Sequence, residues 1–228
     1  MQVVLSKEAC ELARLYPPGT VANYDDDGKF HSDSGPAITT PDGSEYWYQH
    51  GVLHRDGGPA LINNDKTSWW RKRSKEYWVN GKWHRLDGPA VTYYNYENKA
   101  DEYWYKEGLL HSTISPTRKY YHKMKEFGNY DRPSGWFSEW FFEGKKHRNN
   151  GPAVESEDFP DCKEYWFHGK LVLRISDHLG RYIPQNLSLV QQEFLIQLRP
   201  DVIRRIYKLN PKLRVKYQHE LELGNVDL

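Results

Sequence analysis

Apolar and polar residues alternate over short stretches of this chain, and the clearest stretch straddles Asn80-Gly81. Glu76-Tyr77-Trp78-Val79 stands on one side and Lys82-Trp83-His84-Arg85 on the other. A two-residue type I′ turn needs positive φ at both central positions, which Asn tolerates and Gly adopts freely. Counting outward from that turn pairs Val79 with Lys82, Trp78 with Trp83, Tyr77 with His84 and Glu76 with Arg85. Successive pairs point to opposite faces of a β-hairpin. One face then carries Trp78, Trp83 and a Glu76–Arg85 ion pair, and the other carries Tyr77 and His84.

The pattern returns along the chain. Around Glu143-Gly144 the same register sets Trp140 opposite His147 and Glu139 opposite Arg148. Around Gly51 there is one residue more. A three-residue loop ending in that Gly predicts Tyr46 opposite His54, Trp47 opposite Leu53 and Glu45 opposite Arg55. Tyr103 to His111 reads likewise, with Ser112 in place of the Arg. The anchor of each copy is Gly-x-x-His followed by Gly-Pro-Ala: Gly28/His31 with Gly35-Pro36-Ala37, Gly51/His54 with Gly58-Pro59-Ala60, Gly81/His84 with Gly88-Pro89-Ala90, and Gly144/His147 with Gly151-Pro152-Ala153. Gly108/His111 keeps the first half and loses Gly-Pro-Ala. Gly169 opens a sixth copy with Val172 where His should stand. The drifting step between turn glycines, 23 to 36 residues, marks a repeat array with loops of variable length.

Each Gly-Pro-Ala reads as a second reversal, with Gly supplying an unusual φ and Pro opening the next strand where a missing donor is tolerated. The strands that follow are Ala37 to Thr40, Ala60 to Ile62, Ala90 to Tyr94 and Ala153-Val154, and Asp42-Gly43 makes a further turn. The fold class is therefore mainly β: an antiparallel β-hairpin repeat array, a meander without βαβ units. Ser6 to Leu15 reads as a short helix stopped by Pro17-Pro18, capping the open edge of the first hairpin. From Asn186 the period changes to helical. Ser188 and Gln191 form a capping box, Leu189, Phe194, Leu195 and Leu198 follow, and further helices run from Asp201 to Leu209 and from Pro211 to about Leu223. The organisation is an N-terminal capping helix at 1–20, a β-hairpin repeat domain at 21–180 and a C-terminal helical module at 181–228.

Composition refines this picture in two ways. Aromatics reach 15% of the residues while hydrophobic residues as a whole make up only 38%. Such a chain buries large flat side chains between strands, as a solenoidal sheet does. The formal net charge of +1 gives no global reason for a nucleic-acid or membrane partner. Cys10 and Cys162 lie far apart, which argues against a disulfide framework or a Cys-based metal site. With no signal-peptide core at Met1-Gln2-Val3-Val4-Leu5 and no membrane-length apolar run, the expected location is cytoplasmic.

The alternation of Tyr-Trp-x-Asn-Gly-Lys-x-His with Gly-Pro-Ala resembles a divergent MORN-type repeat, a family of β-hairpin arrays rich in Tyr, Gly and Asn-Gly turns. It is more similar still to uncharacterised repeat proteins of tailed phages and large DNA viruses that carry W-x-N-G-x-x-H-R-x-D-G-P-A units. The resemblance covers roughly Asp27 to Val172. Typical MORN units have Gly where this chain has the His-Arg-x-Asp segment, so lipid binding is not carried over. The resemblance implies a scaffold or binding role, located in the host cytoplasm if the protein is viral, and it brings no catalytic residues.

Candidate sites follow. The recurrent His54, His84 and His147, with His31 and His111, could be imagined as metal ligands or general bases, but recurrence in every unit favours stacking on an aromatic with a ring nitrogen bonded to backbone. Arg55, Arg85 and Arg148 facing Glu45, Glu76 and Glu139 read as cross-strand pairs worth roughly 0.2–1 kcal/mol each, and Asp56 and Asp87 as partners of backbone amides in the Gly-Pro turns. The insertion at 66–75 is the binding candidate: Trp69, Trp70, Arg71, Lys72 and Arg73 combine stacking surface with guanidinium charge. Arg118 to Lys125 is a weaker one. Arg204, Arg205 and Lys208 are binding candidates on the C-terminal helices, beside acidic residues that offset their charge. No phosphate loop, nucleophile elbow, zinc spacing or dinucleotide fingerprint is present. The expectation is a non-enzymatic protein without cofactor or metal, a viral accessory protein engaging or inhibiting a host factor through protein–protein contacts. The alternatives are a nucleic-acid or nucleotide binder using residues 66–75, and an enzyme using a repeat His.

Overall fold

The structure is a computed structural model and describes residues 1–4, 16–65, 73–94, 100–122, 135–176, 180–199 and 206. The chain divides into two compact units, Met1–Tyr120 and Tyr121–Leu228. Both are built from an antiparallel meander in which strands lie side by side in sequence order. In the first unit these sheet strands are Gln2–Val4, Val21–Asn23, Ile38–Thr39, Glu45–Tyr46, Leu61–Asn63, Arg73–Glu76, Val91–Tyr94 and Ala100–Tyr103, with the start of Arg118–His122 at its end. In the second they are Gly135–Glu139, Val154–Ser156, Lys163–Phe167, Lys170–Ser176 and Gly180–Tyr182. The capping helix expected at Ser6–Leu15 lies outside the described residues, as does most of the chain beyond Arg199. Gln2–Val4 adds a strand, pairing Val3 with Ala22.

Between sheet strands the chain leaves the sheet and makes a small hairpin two residues long on each arm. Val79 pairs with Lys82 and Trp78 with Trp83 across Asn80-Gly81, as the alternation predicts. The excursion starts at a single pivot residue. Trp47, Tyr77, Trp104 and Trp140 each donate their N–H to the carbonyl of Ala60, Ala90, Thr117 or Ala153, at 2.7–2.9 Å. Each pivot carbonyl in turn accepts from the N–H of His54, His84, His111 or His147, at 3.0–3.1 Å. Backbone groups at the bend are thus satisfied although the strand is interrupted.

This pivot overturns three readings of the sequence. The Gly51 and Gly108 hairpins have two-residue turns, not three-residue loops. Tyr48 pairs with Leu53 and Tyr105 with Leu110, and Trp47, not Tyr46, meets His54. The turn residues His50, Asn80, Glu107 and Glu143 all take φ of 47–52°, so the following Gly and the tight twist of the hairpin select type I′ even where Asn is replaced. Second, the ion pairs counted outward from the turn do not form. Glu76 lies beyond the pivot, in the main sheet, opposite Leu61 and Val91. Glu45 likewise pairs with Thr39 and Ile62, and Glu139 with Val154. Third, the copy at Gly108 has not lost its second reversal. Ser115-Pro116-Thr117 supplies it, with Thr117 fully buried where other copies bury Ala.

The interior of the first unit is built of small side chains: Ala22, Ala37, Ala60 and Ala90 are fully buried, beside Ile38 and Val91. The second unit has an apolar cluster of Tyr165, Val172, Leu173, Ile183, Phe194, Leu195, Ile196 and Ile206. Val172, standing where the sixth copy would have its His, is part of it. The helix Leu189–Leu198 covers the hairpin of Lys163–Phe167 and Lys170–Ser176, and its N-terminus carries the predicted capping box: Gln191 N–H donates to Ser188 Oγ, and Ser188 N–H to Gln191 Oε1. Among the described residues no helix is long and apolar enough to cross a membrane.

Candidate functional site

The recurrent His side chains join one repeat to the next. Nδ1 of His31 accepts the N–H of His50 at 3.2 Å, His54 that of Asn80 at 3.2 Å and His84 that of Glu107 at 3.3 Å. His147 receives the N–H of His168 at 3.5 Å in the second unit. In every case the donor is the first turn residue of the following hairpin, whose N–H is directed outward by its left-handed conformation. An accepting Nδ1 places the proton on Nε2 in the neutral ring. Nε2 then meets a polar residue two positions on: Asp33 at 3.2 Å, Asp56 at 3.6 Å or Asn149 at 2.7 Å. Adjacent hairpins are further joined by the turn Gly N–H, which Phe30, Leu53, Trp83 and Lys146 accept at 2.8–2.9 Å. Burial, against a neighbouring His168, holds the pKa of His147 below the ordinary imidazole value.

The Arg residues cap the pivots. Arg55 lies over the Trp47 ring at 3.6 Å, Arg85 over Tyr77 at 4.1 Å and Arg148 over Trp140 at 3.8 Å. Each also donates Nη1 to the carbonyl of the Pro in its own Gly-Pro-Ala, at 3.1–3.4 Å. This explains the Gly before that Pro, which does not take positive φ. A Cβ on Gly88 would stand 2.6 Å from Cζ of Arg85, so the guanidinium needs that space. Asp87 bonds Arg85 Nε at 2.8 Å, and that bond lowers its pKa. Asp56 faces His54. Neither acid serves the Gly-Pro amides in the manner expected from the sequence.

The three Glu carboxylates have taken other partners. Glu76 Oε2 accepts from the indole N–H of Trp78 at 3.1 Å and of Trp83 at 3.0 Å, and Oε1 from Ser74. Burial, with the Glu76 charge nearby, pushes the Tyr93 phenol up to about 12. Glu139 pairs with Lys146 at 3.0 Å, and Glu45 accepts from Trp47 Nε1 at 3.4 Å.

Two loop tips differ from the rest. Leu86 is 65% exposed and Ile114 is 73% exposed. They stand on the His-to-Pro loops of consecutive repeats, where the other loops carry Asp, Asn, Ser or Gly. Beneath Leu86 lies a cleft of about 250 Å³, lined by Arg55, Asp56, Tyr77, Arg85 and Asp87. Neither apolar tip was singled out in the sequence. The signal was available as a large apolar residue at two adjacent repeat positions that elsewhere carry Asp, Asn, Thr, Ser or Gly.

Of the binding candidates, Trp69, Trp70, Arg71 and Lys72 lie outside the described residues, as do Arg204, Arg205 and Lys208. Arg73 is in a sheet strand opposite Tyr94, and Arg118 lies over the Tyr120 ring at 4.1 Å. No protein-family model matches this chain, and no curated protein matches it significantly.

Proposed function

We propose that this protein is a non-enzymatic binding scaffold whose first unit presents its repeat loops to a protein partner. The observation that carries the reading is the pair of exposed apolar tips, Leu86 two residues after its His and Ile114 three after its own, at positions where other copies carry Asp, Asn, Thr, Ser or Gly. Isolated apolar residues on a surface are ordinary. Here two fall on consecutive loops of one array, one of them beside a cleft with two stacked guanidiniums, a composition suited to a protein interface. The recurrent side chains of each repeat support the same reading, because they are spent on joining repeats. The resemblance to phage and large-virus repeat proteins makes a host factor the expected partner.

The test compares wild type with Leu86→Asp/Ile114→Asp in cross-linking mass spectrometry from host lysate, with and without nuclease. A protein cross-linked at the loop tips, retained after nuclease and lost in the double variant, is the expected result. Equal capture by both proteins would refute the surface. Loss of all partners after nuclease would instead favour nucleic-acid binding through residues 66–75, with a steep salt dependence.

A further inference from the structure

In a repeat array, residues that recur serve the array, so a site built for a ligand is to be sought where the repeat is broken. The first repeat is broken at two neighbouring places. Three residues before the turn Gly, later copies in the first unit carry Tyr48, Trp78 and Tyr105, whereas the first carries Asp25. In the following hairpin the first turn position is His50, held at φ 47°, where other copies of the unit have Asn80 and Glu107. These two departures meet the recurrent His31.

We propose that Asp25, His31 and His50 form a binding site for a divalent transition-metal ion of the zinc type. One ligand atom from each residue lies within 4.8 Å of the other two. His50 Nδ1 is 2.8 Å from Asp25 Oδ2. That is a hydrogen-bond separation, and a tetrahedral ion with bonds of about 2.0–2.2 Å spreads two ligands to about 3.4 Å, so the pair opens by about 0.6 Å as the shared proton is displaced. Asp25 is already oriented, since its Oδ1 accepts the N–H groups of Lys29 at 2.8 Å and Asp27 at 3.1 Å. Asp25 and His31 are only 11% and 16% exposed, while His50 is 69% exposed. Asp25 and the His31 ring are thus positioned and His50 can move, and His31 ligates by giving up either the His50 N–H at Nδ1 or the proton at Nε2.

The adjustment has a definite form. The His31 and His50 rings stack with centroids 4.2 Å apart and planes at 24°. Stacked rings direct their lone pairs side by side, so ligation requires His50 to rotate out of the stack. Asp33 Oδ1, 3.2 Å from His31 Nε2, is a further oxygen at the rim. Imidazole with carboxylate oxygen selects borderline ions such as Zn²⁺, Co²⁺ and Ni²⁺ over Mg²⁺ and Ca²⁺. The second unit supplies an internal control. His147 and His168 stack in the same way, 4.2 Å and 15°, but the polar partner there is the amide of Asn149.

The test is a Zn²⁺ titration of the full chain by calorimetry, repeated with Co²⁺ to read ligand-field absorption. Wild type is expected to bind one equivalent more than Asp25→Asn/His50→Ala. His50→Ala and Asp25→Asn are each expected to weaken that equivalent at least tenfold, and His168→Ala to leave it in place. Ring ¹⁵N shifts of His31 and His50 on Zn²⁺ addition give a readout independent of stoichiometry, and circular dichroism confirms that the variants fold. Equal stoichiometry and affinity in wild type and the double variant, or unmoved His31 and His50 resonances, would overturn the site. The proposal stands apart from the partner-binding surface, so either can fail alone.

Discussion

The two units hold themselves together by different physics. In the first unit, the residues buried completely are mostly alanines, and the large side chains lie half-buried along the hairpins. Cohesion between its repeats comes from recurring polar joints: the imidazole that accepts a turn N–H, the turn Gly N–H bonded to the previous hairpin, and the guanidinium laid over the pivot ring. Each such hydrogen bond is worth only about 0.5–1.5 kcal/mol net, and each cation–π contact about 0.5–2 kcal/mol. The second unit keeps one copy of each of these joints but also packs a helix on its hairpin around Leu173, Phe194 and Leu195. Among the described residues the first sheet is stabilised by repetition, whereas the second also gains apolar volume from its helix.

The difference predicts opposite sensitivities to side-chain size. Leu195→Ala in the second unit removes volume from a fully buried cluster and is expected to cost about 2–5 kcal/mol. Denaturant unfolding gives the total, and hydrogen exchange at Lys163–Phe167 and Lys170–Ser176 localises it. A cost below about 1 kcal/mol would show that the helix contributes little. In the first unit the damaging change is added volume. Ala90→Val is expected to cost about 1–3 kcal/mol, because the buried Ala adjoins the backbone joint from Ala90 to Tyr77. A neutral or stabilising result would mean that this interior has room for two more methyl groups.

The smallest effect separates the joints by pH. The His147 pKa is lowered by burial, so the folded second unit takes up its proton less readily than the unfolded chain does. The stability from this group is complete above the unfolded imidazole value near 6.5. It is lost as pH falls through the lower folded value, because the buried ring is then charged, a cost that its contacts with Asn149 and the Trp166 carbonyl offset only in part. His147→Gln should flatten stability against pH below about 6.5 in thermal melts. An unchanged acid slope in that variant would assign the loss to other groups.

Legibility followed the range of the interaction. The turn at Asn80-Gly81 and the cap at Ser188 and Gln191 were readable because each is decided within a few residues. The same turn at His50-Gly51 was misread as a longer loop, because His carries no turn signal of its own. Its positive φ is imposed by the Gly beside it and the hairpin around it. Thr117 went unrecognised as the counterpart of Ala90 because Ser115-Pro116-Thr117 preserves only the Pro. What it shares with Gly-Pro-Ala is a place in the backbone bonding, which letters do not display.

The partners of the charged side chains were decided elsewhere. Counting from a turn assumes that the hairpin continues, and it stops at the pivot after two residues. Glu76 therefore belongs to the main sheet and Arg85 to a loop. The meeting of Asp25, His31 and His50 likewise needs two repeats brought side by side. The sequence by itself determined the hairpins, their repetition and the mainly β class, because turn chemistry and alternation are local. The tertiary structure decided which carboxylate meets which indole, imidazole or guanidinium, because those contacts run across the bend of each unit and between neighbouring repeats.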